Sequence, residues 1–91
     1  MDLRLFSTFL RVAELQNFTK AAEQLGYSQA TVTVQIHQLE QALGIQLFER
    51  IGKRVRMTER GEQFIPYAIE ILKAEPVSYT HLRAHETSLH L

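Results

Sequence analysis

Between positions 50 and 60 the chain carries five cationic side chains, Arg50, Lys53, Arg54, Arg56 and Arg60, against a single acid, Glu59. Guanidinium groups at that density suit phosphate, because each presents a fork of donors to a pair of anionic oxygens. The formal net charge is zero, with ten basic and ten acidic residues, which by itself argues against a polyanionic partner. Charge acts locally at a contact surface, however, and here it is concentrated in one segment. A second group is notable for what it omits. Residues 27–39 contain no formally charged side chain when His37 is counted as neutral, although a solvent-facing helix normally carries Lys or Glu. The outward and N-terminal positions hold Gln29, Ala30, Thr31, Thr33, Val34 and His37 instead. Such short neutral groups fit base edges: Gln can pair with adenine through two hydrogen bonds, Thr can bond to base edges, and Ala or Val can touch a thymine methyl.

Other chemistries find little to work with. Asp2 is the only aspartate, no glycine-rich phosphate loop is present, and Gly52-Lys53 lacks the rest of a P-loop. There is no cysteine, so disulfides, thiolate zinc sites and cysteine nucleophiles are excluded, in keeping with a reducing cytosol. His81 and His85, four apart and followed by His90, could begin a metal site, but no second ligand pair accompanies them. We therefore expect no catalytic residues, no metal, no cofactor and no enzymatic activity. No apolar run reaches the roughly 18 to 20 residues that span a bilayer, and the N-terminus lacks the order of a signal peptide. The expected location is the cytoplasm, without a membrane partner.

The elements that must position these residues follow from periodicity. Asp2 is a possible N-cap for a first helix with Phe6, Phe9, Leu10 and Ala13 on one stripe. A short second helix opens at Asn17 or Thr19, carries Ala21, Ala22 and Leu25, and meets Gly26, which suits a left-handed C-terminal position. Ser28 caps a third helix over 28–43, whose Val32, Ile36, Leu39 and Leu43 fall within about a 60° arc at 100° per residue. Gly44 ends it. Residues 48–50 and 55–57 read as two short strands joined through Gly52, which places the basic cluster on a hairpin. Thr58 then caps a fourth helix with Glu59 and Glu62 at its positive end and Phe64, Ala68, Ile71 and Leu72 as its stripe. Pro66 should kink that helix without breaking it. The fold class is mainly α: a winged helix-turn-helix, built as a three-helix core with a small β-hairpin wing, followed by a long linker helix.

Ninety-one residues enclose one modest core rather than two. We divide the chain into a winged helix-turn-helix domain over 1–57, a linker or dimerisation helix over 58–75, and a tail over 76–91. From Pro76 the apolar stripe stops and three histidines appear; the stretch 77–87 resembles an adaptor-derived read-through peptide, so the tail is expected to be non-native or disordered.

Helix, tight turn, helix is a common arrangement, but three features point to DNA. Ala22, Gly26 and Val32 have the spacing that a helix-turn-helix needs: a small residue where helices touch, glycine in the turn and an apolar anchor in the second helix. The third helix has the uncharged outer face described above. The basic hairpin follows it directly, where a wing would reach flanking phosphates or the minor groove. On this reading Arg50, Lys53, Arg54 and Arg56 supply sequence-independent affinity over a wing at 50–56, with Arg54 deepest, while Ser28 and the free amides behind it hold a phosphate.

The runs Phe18-Thr19-Lys20-Ala21-Ala22, Ser28-Gln29-Ala30-Thr31-Val32-Thr33, Gln35-Ile36 and Leu39-Glu40 resemble the LysR-type transcriptional regulators. Leu43-Gly44, Leu47-Phe48-Glu49-Arg50, Met57-Thr58 and Gly61-Glu62 continue the resemblance over residues 2 to 75. It implies a promoter-binding winged helix-turn-helix acting as a homodimer through the fourth helix, with base readout by the third helix and Thr19 and Gln35 added to the backbone contacts. A dimer seam would use Phe64, Ile65, Ala68, Ile69, Ile71 and Leu72, and two-fold symmetry would match a palindromic site. Position 34 often carries a basic side chain in the family, whereas Val34 stands here, which shifts weight from a phosphate or guanine contact to methyl contacts. The family's C-terminal effector-binding domain is not expected in these residues. The rival reading is a winged helix used for protein contact and dimerisation without DNA, which the neutral net charge slightly favours.

Overall fold

The computed structural model describes residues 2–51 and 54–74. Their order is α1 (Arg4–Leu15), α2 (Phe18–Leu25), α3 (Gln29–Leu43), β1 (Phe48–Ile51), β2 (Arg54–Met57) and α4 (Glu59–Ala74). The fold is therefore the mainly helical winged arrangement expected from the sequence. The tail, with His81, His85 and His90, lies outside the described residues, as do Gly52 and Lys53.

Each helix begins and ends for a local reason. The cap position of α1 is Leu3, whose aliphatic side chain makes no capping hydrogen bond; Asp2, one residue earlier than the geometry requires of a cap, accepts the Arg4 amide at 2.9 Å and pairs with the Arg4 guanidinium at 2.8 Å. Those bonds hold the Asp2 carboxyl below the ordinary carboxylate range. Asn17 caps α2 by accepting from the Lys20 amide at 2.9 Å, and Ser28 caps α3 by accepting from Thr31 at 3.1 Å. Gly26 and Gly44, at φ 78° and 72°, close α2 and α3 in the left-handed region where a Cβ would be strained. Only Tyr27 and Ser28 then separate that turn from α3, which forces the two helices into a tight crossing.

One core serves all six elements. Phe6, Phe9 and Val12 of α1, Ala21 and Ala22 of α2, Val32, Ile36 and Leu39 of α3, Leu47, Phe48, Val55 and Met57 around the hairpin, and Ala68 and Leu72 of α4 are buried together. Burial of Ala22 where α2 crosses α3, with Val32 fully enclosed, is the packing that the Ala-Gly-Val spacing requires. Ile36 is 3% exposed, so Ile36→Val will cost about 1 kcal/mol by removing one buried methyl. A denaturation midpoint identical to the parent's would put the helical phase in error.

The hairpin is antiparallel with Phe48 opposite Met57 and Ile51 opposite Arg54. Its root is tied to α3 by Glu40, whose carboxylate accepts the amides of Leu47 at 2.8 Å and Phe48 at 3.2 Å. Thr58 secures the other side. Its amide donates to the Leu47 carbonyl at 2.9 Å, its hydroxyl donates to the Gln46 carbonyl, and the same hydroxyl oxygen accepts from the Gly61 amide at 2.9 Å, capping α4. Helix α4 runs unbroken through Pro66. It packs on α1, with Phe64 against Phe6 and Phe9 at ring separations of 6.1 and 5.4 Å.

Candidate nucleic-acid interface

The N-termini of α2 and α3 and the two hairpin strands converge on one cleft of about 430 Å³, lined by Asn17, Phe18, Thr19, Gln29, Arg50, Arg54 and Val55. The uncharged helix and the cationic hairpin thus open on the same side of the molecule. Within the cleft the Thr19 hydroxyl donates to Gln29 Oε1 at 3.3 Å. Arg50 shares the inner face of the hairpin with Phe48 and Val55 but stands beyond the core, so its guanidinium carbon rests 5.1 Å from the centre of the Phe18 ring. That ring is itself held edge-on by Phe48 at 6.1 Å. The stack restricts the long side chain and keeps its donors facing the cleft.

Of the wing cations expected from the sequence, Arg50 and Arg54 are exposed and, among the described residues, form no salt bridge. Arg56 is exposed too, but it lies across the ladder from Glu49, with a nitrogen 3.8 Å from the carboxylate. The pair is open to water and screened, so Arg56 retains part of its reach toward an anion. Lys53 lies outside the described residues.

On α3, Gln29, Ala30, Thr31, Val34 and His37 are exposed and Thr33 is half-buried. Several are already engaged within the chain. Thr31 and Ser28 hydroxyls lie 3.0 Å apart, and His37 Nε2 is 3.3 Å from Gln41 Nε2. Gln35 differs most from the sequence reading. It is half-buried, and its Oε1 accepts the hydroxyl proton of the buried Thr8, so the side chain is a strut to α1 rather than a group aimed outward. Gln38 is exposed one turn beyond Val34 and was not singled out; its i+4 spacing from Val34 was the available signal.

The residues assigned to a dimer seam divide. Ala68 and Leu72 are 0% and 3% exposed, and Phe64 packs against α1, so their apolar area is taken up by the core of the single chain. Ile65 and Ile71 are half-buried against that core. Ile69 and Tyr67, at 38% and 65% exposure, are the large apolar groups of α4 left outside; Tyr67 was not foreseen, because a tyrosine off the main stripe reads as ordinary surface.

Residues 3–62 match the family model described as "Bacterial regulatory helix-turn-helix protein, lysR family". The chain belongs to the LysR family. This LysR-family chain is 44% identical over 72 residues to the HTH-type transcriptional regulator CitR of Bacillus subtilis, a match that covers 79% of the chain and 25% of that protein. It is 47% identical over 72 residues to YwqM of the same organism, with the same coverage. It therefore spans about a quarter of the length of the curated relatives it matches. Among solved structures, the complex of the BenM DBD with catB site 1 DNA aligns with a TM-score of 0.76 at 38% identity, covering 99% of this chain and 98% of that one. The CbnR DBD in its DNA complex aligns with a TM-score of 0.80 at 35% identity, covering 93% and 98%. The LysR-family relatives named here are transcriptional regulators. Among the described residues no helix is long and apolar enough to cross a membrane, and no cluster of three His, Asp or Glu residues could hold a metal ion.

Proposed function

We propose that this chain reads a duplex DNA site for a bacterial transcription regulator, with α3 in the major groove and Arg50, Arg54 and Arg56 along flanking phosphates or in the adjacent minor groove. The carrying observation is the shared cleft: Gln29 at the start of α3 and the two wing arginines line one surface. Its lining suits two contacts with the backbone, a phosphate at the α2 and α3 N-termini and another against the guanidinium groups. The two aligned DNA-binding domains solved with DNA support the reading.

The functional unit we infer is a homodimer on a palindromic site in the cytoplasm. The two-fold contact falls on the edge of α4 that carries Ile69, flanked by the half-buried Ile65, since Ala68 and Leu72 are committed inside the chain. Response to a small-molecule effector belongs to parts of the family's length that these residues do not span.

Salt tests this reading. The logarithm of affinity will fall linearly with the logarithm of salt, and Arg54→Ala will make the slope shallower by about one unit while weakening all duplexes alike. Affinity that ignores ionic strength would instead favour a module for protein contact.

A further inference from the structure

We propose that Ala30 and Val34 recognise two thymine methyl groups, one or two base steps apart, in the bound DNA site, so that methyl contact rather than a guanine-directed cation sets base preference at the centre of α3. This rests on the DNA-reading function proposed above. Val34 is 54% exposed, a large apolar side chain on the outer face of α3. Ala30, four residues earlier and also exposed, lies on the same face. A β-branched residue at an exposed helical site brings neither burial nor good helix propensity, so the fold gives no reason for it.

The polar neighbours of the pair are largely engaged elsewhere. Gln29 accepts from Thr19, Thr31 is paired with Ser28, Gln35 accepts from Thr8, and His37 is paired with Gln41. Thr33 is half-buried. On that row Ala30 and Val34 are two exposed aliphatic side chains, and the exposed amide of Gln38 follows one turn further on. Guanine is read by the paired donors of Arg or Lys and the cytosine amino group by a carboxylate; residues 29–39 contain neither type. The C5 methyl of thymine is the major-groove feature that an aliphatic side chain can distinguish. Register agrees: Cβ atoms four residues apart on a helix are about 5–6 Å apart, and base steps rise about 3.4 Å.

The test begins with sites selected from random duplex DNA by the 91-residue chain, followed by replacement of each thymine in turn with deoxyuridine, which removes only the methyl. Two replacements one or two steps apart will each weaken binding about fourfold, the factor for one buried methyl group. Val34→Ala will lose a similar factor on the intact site and become insensitive to deoxyuridine at its own position, with an unchanged salt slope and a melting temperature equal to or slightly above the parent's, since alanine is the better helix former. A strongly selected site in which no deoxyuridine substitution alters affinity overturns this inference alone. Failure to bind duplex DNA, or equal binding to every duplex, overturns the DNA-reading function and this inference with it.

Discussion

Alanine at position 61 will bring the domain close to unfolding, with a loss of about 4 to 5 kcal/mol in denaturant melts, beyond the usual range for an added methylene. A Cβ built on Gly61 overlaps the Leu47 carbonyl oxygen and comes within 3.1 Å of its carbon and 3.2 Å of its Cα. The obstacle is backbone, so no rotamer change relieves it. Relief requires α4 to lift from residues 46 and 47, which stretches the Thr58 bonds to Gln46 and Leu47 and unseats Ala68 and Leu72 from the core. Gly44→Ala is the control. It meets nothing within 4 Å and pays only for its φ of 72°, about 1–2 kcal/mol. Equal losses in the two variants would show that the contact with Leu47 is not what excludes a side chain at 61.

Ala30→Asp will abolish specific DNA binding, weakening it by at least about 100-fold, since setting like charges together at an interface costs several kcal/mol. The fold will survive. Ala30 is exposed and lies in the first turn of α3, where a carboxylate favours the positive end of the helix dipole. Melting temperature should therefore hold or rise slightly while affinity collapses, which separates a lost interface from a lost fold. Unchanged affinity for a selected site would remove this face of α3 from the interface.

Much of this architecture was legible in the sequence because each element carries its own punctuation. Asn17, Ser28 and Thr58 stand at the starts of α2, α3 and α4 and accept amide bonds there, while Gly26 and Gly44 stand at the ends in the conformation that glycine tolerates best. Convergence of Gln29 with Arg50 and Arg54 also followed from chain order, since a hairpin just after α3 has little freedom to go elsewhere. Less legible were residues on the shoulders of helices. Gln35 sits between the buried stripe and solvent, so periodicity cannot say which way it turns; Thr8, a partner 27 residues away, decides it. Glu40 looks like a surface acid until the amides of Leu47 and Phe48 are placed beside it. The seam on α4 was overdrawn for a related reason: one apolar stripe can serve a core or a partner, and α1 takes Ala68, Leu72 and Phe64 first. Asp2 showed how far a cap can be misplaced by a single residue.

The bond from Thr8 to Gln35 acts on the shoulder of α3 that faces α1, away from its exposed row. The buried stripe of Val32, Ile36 and Leu39 sets which way α3 faces, because rolling the helix would empty closely packed sites. The hydrogen bond at one shoulder adds a directional restraint to that packing. If α3 reads DNA as proposed, a change at Thr8, a buried residue of α1, would reach the bound bases only through the position of α3.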